Sequence, residues 1–356
     1  MKILKSKLFR TIIMIVLAPV LLLGIYILMM IMTDYKPDQA VKLEVDRNQE
    51  AVIKKGTPFS VITFNIGYGG LDKGQDFFLD GGTGSRSESK EKTIDNISKI
   101  AEFLKLQDSD FIMFQEIDQK STRSYKVNQV QFMKDNLLDY ASSYAINYKV
   151  LWVPVPISKP HGAVNSGILT LSKYKINSST RYKLPGTEAY FRQLADLDRC
   201  IQENRIPVEG GKELILVNSH LSAFDKGGKI RKQQLQFLKD YIQEEFAKGN
   251  YVVVGGDWNH VLPGTDPLAF ETEQAFPEWL QTLPEDFIPD GYKWAVDSTV
   301  PTNRTVDIPY AKNVNFFSII DGFLVSPNVE IISTKGINLE FENTDHNPVR
   351  TDLILK

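Results

Sequence analysis

The strongest constraint on the fold is a long uncharged stretch near the N-terminus. No charged residue occurs between Arg10 and Asp34. The stretch is rich in Ile, Leu, Met and Val, and as a helix it is long enough to cross a hydrocarbon layer of about 30 Å. We therefore predict one transmembrane anchor over residues 11–33, preceded by a basic tail over residues 1–10.

The charges on either side of the span predict its orientation. Four basic residues precede it and an acidic residue follows it: Lys2, Lys5, Lys7 and Arg10, then Asp34. The positive-inside bias then places the N-terminus in the cytoplasm and the rest of this single-pass chain on the extracellular face. A cleaved signal peptide is the alternative. The apolar stretch is longer than the usual ~7–15 residues of such a peptide, and no small-x-small site follows at once, so we favour an uncleaved signal-anchor.

The composition excludes several classes of protein. Cys200 is the only cysteine, so neither an intramolecular disulfide nor a multi-thiolate zinc or iron–sulfur site is available. Without the four basic residues of the tail, 37 of the 41 Lys and Arg remain against 44 Asp and Glu, a net charge of −7 beyond the span. This balance argues mildly against a protein that grips nucleic acid by bulk charge, although a local basic patch stays possible.

The remainder of the chain is predicted to form one large domain. Residues 34–56 are polar and weakly patterned, which suits a linker, and residues 57–356 are long enough for a single sizeable core. Apolar strands are predicted at 59–66, 110–116, 166–171, 213–220, 250–256, 317–325 and 349–355, and amphipathic helices at 91–106 and 229–248. Apolar strands interleaved with helices indicate sheets covered on their faces, hence an α/β layered domain.

Short polar motifs lie at or near the ends of these strands. They are Thr63-Phe64-Asn65-Ile66, Gln115-Glu116, Asn218-Ser219-His220-Leu221, Gly256-Asp257-Trp258-Asn259, Ile320-Asp321-Gly322-Phe323 and Thr344-Asp345-His346-Asn347-Pro348. Carboxylates beside amides and imidazoles are the groups that hold a hard divalent cation and a phosphate oxygen. The motifs therefore predict a metal-dependent phosphoesterase.

In order and spacing, the motifs resemble the endonuclease/exonuclease/phosphatase superfamily from about residue 57 to the end of the chain. The resemblance implies a four-layer α/β sandwich, with two mixed sheets packed face to face and helices on the outer faces. It also implies hydrolysis of phosphate esters with Mg²⁺ or Mn²⁺. His220 is typical of the secreted deoxyribonuclease and neutral sphingomyelinase-like branch, since apurinic endonucleases carry tyrosine there.

The predicted roles follow from phosphate chemistry and from this resemblance. Glu116 is the expected metal carboxylate, with Asn65 and Asp345 as nearby oxygen ligands, because Mg²⁺ prefers one or two carboxylates plus waters. By family analogy, Asp257 orients or deprotonates the attacking water. Asn259, two residues on in an extended chain, is expected to lie on the same side and hold that water or a phosphate oxygen.

Two histidines complete the predicted site. The resemblance pairs His346 with Asp321, which sets the ring tautomer and raises its basicity. It places His220 on the other side of the phosphate, near the leaving oxygen, and leaves open which histidine is acid and which is base. Asn165 and Arg192 stand where family members contact the phosphate and are predicted to bind substrate.

The leading hypothesis is a membrane-anchored phosphodiesterase that uses an activated water, with DNA placed slightly ahead of other substrates. A phospholipid phosphodiesterase of sphingomyelinase type or a small phosphate-ester phosphatase is the alternative. Two hypotheses of other classes are a catalytically silent binding module on the same fold and an anchored interaction protein. The expected partners are the phosphate ester and the membrane, and no protein partner is evident from the sequence.

Overall fold

The structure, a computed structural model, describes residues 2–356. Its first helix, α1 (Lys2–Thr33), contains the whole predicted span and most of the basic tail. The most apolar section, Met14–Thr33, has a mean hydropathy of 2.8 and is only 6% buried against the rest of the chain. Its length and composition suit a membrane span or a signal sequence, and the orientation deduced from the flanking charges stays a prediction.

The other helices and the strands alternate along the chain. The helices are α2 (Lys90–Gln107), α3 (Gln129–Asn136), α4 (Tyr190–Gln193) and α5 (Lys229–Ala247). The strands are β1 (Ala40–Leu43), β2 (Phe59–Asn65), β3 (Phe111–Asp118), β4 (Ala141–Val153), β5 (Gly162–Ser172), β6 (Ser178–Lys183), β7 (Cys200–Pro207), β8 (Glu213–His220), β9 (Tyr251–Asp257), β10 (His260–Val261), β11 (Gln281–Thr282), β12 (Lys293–Ala295), β13 (Asn303–Arg304), β14 (Phe317–Ser318), β15 (Asp321–Val325), β16 (Val329–Gly336) and β17 (Val349–Leu355). Short 3₁₀ turns occur at Gly67–Gly69, Phe78–Asp80, Lys226–Gly228 and Glu285–Phe287.

Two large mixed sheets contain most of the strands. One has seven strands in the order β1-β6-β7-β8-β9-β15-β12, and the other has six in the order β16-β17-β2-β3-β5-β4. Within them, β2 runs parallel to β3 and β8 runs parallel to β9, whereas the other neighbours are antiparallel. The two central parallel pairs bring the carboxyl ends of four strands to defined edges of the sheets.

The inner faces of the two sheets pack against each other. Phe111 and Met113 of the six-stranded sheet share one buried cluster with Leu216, Val253 and Phe323 of the seven-stranded sheet. Successive strand residues point to opposite faces, so Ile112 and Phe114 turn outward from the same strand. They are buried against Ile97, Ile100 and Leu104 of α2 and Met133 of α3.

Helix α5 covers the outer face of the seven-stranded sheet. Its Leu235, Leu238 and Ile242 pack with Val252 and Val254 of β9. The layers therefore run helix, sheet, sheet, helix, and the predicted four-layer α/β sandwich is confirmed.

Local signals explain where the helices begin and end. The Ser89 hydroxyl accepts a hydrogen bond from the backbone N–H of Lys92, which caps the start of α2. Gly249 follows α5 with φ +80°, a left-handed conformation that glycine adopts without strain and that ends the helix. These signals place both helices within two residues of their predicted bounds.

The segment predicted as a linker, residues 34–56, is folded against the domain. Its strand β1 pairs with β6 at the edge of the seven-stranded sheet, and Asp46 forms a bridge to Ser142. Ile53 is 1% exposed and belongs to the core between the sheets. The structure differs from the prediction because backbone pairing and one isolated apolar anchor leave no periodic pattern in the sequence.

Candidate active site

Strand register brings the predicted polar residues to one region. Asn65 lies opposite Gln115 across the parallel strands β2 and β3, immediately before Glu116. On the other sheet, His220 at the end of β8 lies opposite Asp257 at the end of β9. Asp321 begins the antiparallel strand β15, also opposite Asp257. Because the sheets pack face to face, the two sets of side chains meet at one end of the sandwich.

These side chains surround a cleft of about 580 Å³, including the part open to solvent. The residues that line it are Tyr68, Leu71, Phe77, Asp80, Glu116, Arg199, His220, Ala223, Phe224, Asp257, Asn259, Trp279, Asn303, Arg304, Val306, Asp345 and His346. Among the predicted site residues, Asn65 and Asp321 lie behind this lining and hydrogen-bond to it.

Asp257 lies between both histidines and two asparagines of the site. Its Oδ2 accepts a hydrogen bond from Asn65 Nδ2 at 3.0 Å and lies 3.4 Å from His220 Nε2 and 3.8 Å from His346 Nε2. Its Oδ1 accepts from the backbone N–H of Asn259 at 2.9 Å. Burial, together with the nearby charge of Asp321, raises the pKa of Asp257 to about 7. A carboxylate with this pKa is suited to accept a proton near neutral pH.

His346 is held at both ring nitrogens. Nδ1 lies 2.8 Å from Asp321 Oδ2, and Nε2 lies 3.0 Å from Asn303 Nδ2. Burial opposes a positive charge here, but the charge and hydrogen bond of Asp321 outweigh it and raise the pKa of His346 to about 10. A neutral ring protonated at Nδ1 donates to Asp321 and accepts from the Asn303 amide. A cationic ring needs the Asn303 amide to present its oxygen instead.

His220 has the opposite electrostatic character. It is 3% exposed, and its Nδ1 has no hydrogen-bond partner among residues 2–356. Burial, followed by the positive charge of Arg199, lowers the pKa of His220 well below its usual value. Two imidazoles of opposite character therefore lie near the same oxygen, Asp257 Oδ2: His220 favours the neutral form, and His346 is readily protonated.

The model of one protein family matches residues 62–346, which is more than half of the chain, and its description is "Endonuclease/Exonuclease/phosphatase family". The chain belongs to this family. Its members are metal-dependent phosphoester hydrolases, and the predicted enzyme class is therefore confirmed. No curated protein sequence matches the chain.

Solved structures of the family share the fold at low sequence identity. An endonuclease/exonuclease/phosphatase from Beutenbergia cavernae DSM 12333 is 15% identical with a TM-score of 0.57, over 84% of this chain and 72% of that one. One from Bacteroides vulgatus is 20% identical with a TM-score of 0.54, over 84% and 100%. D. rerio TDP2, complexed with single strand DNA product, is 15% identical with a TM-score of 0.52, over 83% and 99%.

The divalent cation of this family has suitable acceptors in Glu116 and Asp345, which both line the cleft. Burial raises the pKa of Glu116, and the Asp345 charge adds to the rise while Arg123, 3.6 Å away, opposes it. A cation would relieve this repulsion between carboxylates. Gly67 leaves room for the Asp345 carboxylate, because a Cβ at position 67 would lie 2.7 Å from Asp345 Oδ1. These residues therefore fit a hard divalent ion.

A second group could also hold an ion. Ligand atoms of Asp257, Asp321 and His346 lie within 4.8 Å of one another. We favour Glu116 and Asp345, because Asp321 and His346 already satisfy each other through a hydrogen bond. Asn65 was predicted as a metal ligand. Its side-chain NH₂ donates a hydrogen bond to Asp257, and its side-chain oxygen accepts one from the backbone N–H of Gly67. In this geometry Asn65 positions Asp257.

Asn259 lines the cleft, as predicted, but for another structural reason. The prediction assumed an extended chain after Asp257, but Asn259 has a left-handed φ of +50°. Its Nδ2 donates to the carbonyl of Leu221 at 2.7 Å. Asn259 lines the cleft because the chain turns there, and its backbone N–H binds Asp257.

The two predicted substrate contacts lie outside the cleft lining. Asn165 Nδ2 donates to Gln119 Oε1, and the Asn165 carbonyl accepts from the backbone N–H groups of Gln119 and Lys120. The side chain of Arg192 is 53% exposed and pairs with Glu188 and Asp196, each at 3.6 Å. The structure brings neither residue to the other site residues.

Several cleft residues were not predicted. Asn303 and Arg304 come from the rim segment, residues 261–316, and Arg199 is the last residue before β7. Arg304 donates to the carbonyls of Leu71, Asp72 and Gln75, which ties this rim to the glycine-rich loop, residues 67–89. No local pattern marks these residues, since their roles depend on contacts between distant parts of the chain.

Proposed function

We propose that the protein is a membrane-anchored, externally facing phosphodiesterase that uses an activated water and a divalent cation. The observation that supports the proposal best is the position of Asp257, whose Oδ2 faces His220 and His346 in one buried cleft. This arrangement offers a proton acceptor and a proton donor within reach of one phosphate. The apolar helix α1 supports the anchoring.

Asp257 is proposed to take the proton of the attacking water. His346, whose pKa Asp321 raises against the effect of burial, holds a proton for a phosphate oxygen or the leaving oxygen. His220 stays neutral and donates a hydrogen bond to the phosphate. Asn303 and Asn65 orient His346 and Asp257, respectively. This assigns the base role to the carboxylate and the acid role to His346.

Glu116 and Asp345 are the proposed holders of the Mg²⁺ or Mn²⁺ ion. When bound, the cation neutralises phosphate charge as the leaving oxygen develops its own. Arg123 lies 3.6 Å from Glu116 and donates two hydrogen bonds to Asp118, so it keeps the Glu116 carboxylate in place.

A nucleic-acid phosphodiester is the first substrate candidate, supported by the fold shared with D. rerio TDP2, which was solved in complex with single strand DNA product. A phospholipid phosphodiester is the second. Arg304 is occupied by carbonyl groups and Arg199 donates to the carbonyl of His220, so little cationic surface in the cleft is left for a polyanion. The proposed anchor keeps the cleft near lipid, and this proximity favours the phospholipid phosphodiester.

The test is hydrolysis by the full chain in detergent micelles, with Mg²⁺, Mn²⁺ or EDTA. Plasmid DNA, sphingomyelin and bis-p-nitrophenyl phosphate are offered in parallel. Cation-dependent turnover that is lost in His346→Ala and kept in His260→Asn supports the proposal, since His260 is buried outside the cleft lining. Undiminished turnover in a folded His346→Ala protein overturns the roles, and no turnover on any substrate favours the silent binding module.

A further inference from the structure

The last turns of α1 are packed onto the catalytic domain. Met30 is 3% exposed and shares a cluster with Tyr148, Val150 and Leu194. The hydroxyl of Tyr26 donates to the carbonyl of Trp152 at 2.9 Å. The helix end and the domain are therefore in direct contact, without an intervening tether.

This contact determines how close the domain lies to a bilayer. Twenty helical residues rise about 30 Å, the thickness of the hydrocarbon layer. Counted from Thr11, the first residue after the last basic charge, that length ends at Met30. Tyr26 is then about 6 Å below the outer edge of the layer, and the domain surface bonded to it reaches the outermost acyl chains, just below the headgroups.

The surface around this contact exposes several large apolar side chains. Trp152, Val155 and Ile157 at the end of β4 and in the following loop are 39%, 44% and 90% exposed. Tyr190 and Phe191 of α4 are 58% and 67% exposed. We call these five residues the anchor-side patch. Leu194, just after α4, packs in the same cluster as Met30, which places α4 beside the helix end.

We propose that the anchor-side patch rests in the outer lipid leaflet of the membrane that α1 spans. Trp and Tyr favour the headgroup region, and Ile and Phe favour the adjoining acyl chains. The patch is continuous with α1, so the membrane that takes the helix covers the patch as well. A second copy of the chain is the competing occupant, but it does not account for the depth at which α1 is docked.

The consequence for the enzyme is a fixed orientation at the membrane. The chain from α4 runs past Leu194 and Leu197, which pack in the cluster that contains Met30 of α1, directly into Arg199 of the cleft. A domain seated on both α1 and the patch holds the cleft at a constant height above the lipid. This inference rests on the proposed membrane anchoring.

The test uses the full chain in phosphatidylcholine nanodiscs, with single cysteines carrying an environment-sensitive fluorophore. Cys200 is buried and does not compete for the label. Ile157→Cys and Phe191→Cys report the patch, and Leu22→Cys reports the span. Leu138→Cys is the matched control, because Leu138 is 62% exposed but precedes the opposite end of β4.

Brominated acyl chains are expected to quench the labels at positions 22, 157 and 191 and to leave position 138 bright. Quenching at 22 without quenching at 157 and 191 overturns the resting patch and leaves the anchor intact. A bright label at 22 overturns the anchor and the patch together. Loss of accessibility at 157 and 191 through dimer formation, without quenching, assigns the patch to a second copy and also overturns the inference.

Discussion

Asp321 lies opposite Asp257 across strands β15 and β9, so two buried carboxylates flank the ring of His346. Asp321 hydrogen-bonds to Nδ1, whereas Asp257 lies 3.8 Å from Nε2. The pair therefore favours a protonated ring between them. Removing either carboxylate changes the protonation of the whole group rather than one contact.

The first prediction concerns stability and pH. The pKa of His346 is raised from 6.5 to about 10, so its pairing with Asp321 stabilises the fold fully below pH 6.5 and loses this effect as pH rises toward 10. Asp321→Asn is expected to cost about 3–5 kcal/mol below pH 6.5, as for a broken buried pair, and much less at pH 10. Urea unfolding of the cation-free protein at both values measures this.

Asp352→Asn is the control for that experiment, because the Asp352 side chain is 35% exposed and its pair with Arg350 is on the surface. It is expected to change stability little at either pH. An Asp321→Asn cost that stays constant from pH 6 to pH 10 contradicts the charged state assigned to His346.

The second prediction concerns the pH dependence of turnover. Burial and Asp321 raise the pKa of Asp257 to about 7, so the rate is expected to rise with pH as this carboxylate ionises. It is expected to fall toward pH 10, where His346 loses its proton. The profile of kcat/KM at constant cation concentration measures both limbs.

Asp257→Asn is expected to lower the rate roughly 100-fold or more and to remove the rising limb. A rising limb that persists in this variant assigns the base role to another group.

The third prediction concerns the cation. Glu116→Gln keeps the size of the side chain and removes the charge that the cation would neutralise. The wild-type protein is expected to melt at a higher temperature in Mg²⁺ than in EDTA, because the ion binds the folded state. The variant is expected to lose most of this increase, and calorimetric titration should show weaker binding. An unchanged Mg²⁺ response in Glu116→Gln places the ion elsewhere, with the group of Asp257, Asp321 and His346 as the next candidate.

The fourth prediction uses two glycines with positive φ. Gly67 has φ +48°, and a Cβ there meets Asp345 Oδ1 at 2.7 Å and Thr344 Oγ1 at 2.9 Å. Gly56 has φ +70° with open space around it. Both alanine variants are expected to lose about 1–3 kcal/mol from backbone strain. Gly67→Ala alone is expected to raise the Mg²⁺ concentration needed for half-maximal activity, because it displaces Asp345. Equal Mg²⁺ responses in the two variants contradict the place of Asp345 in the cation site.

Much of the fold follows from local patterns. Helices α2 and α5 have apolar stripes at helical spacing and residues such as Ser89 and Gly249 at their ends, so their bounds follow from the sequence. Strands β2, β8 and β9 are continuous apolar runs buried on both faces. The order of the polar motifs identified the family and the acidic, amide and histidine side chains Glu116, His220, Asp257, Asn259, Asp345 and His346 of the cleft lining.

The predictions that differ from the structure depended on the path of the chain beyond its local pattern. Asn259 takes a left-handed φ that an extended chain does not have. Residues 34–56 contain no period, yet β1 completes a sheet edge through backbone hydrogen bonds. Arg192 lies on α4, where its charge is paired locally and its neighbours belong to the anchor-side patch.

The sequence by itself determined the apolar helix, the α/β layering and the chemical groups available to the site, because periodicity and residue type are local properties. Tertiary structure decided which of those groups meet. Asn303 reaches His346 through the bridge between their backbones, and Asp321 reaches Asp257 through the register of two strands that lie far apart in the chain. The physical reason is that pKa values and hydrogen bonds in the cleft depend on distances and burial, which only the packed sheets establish.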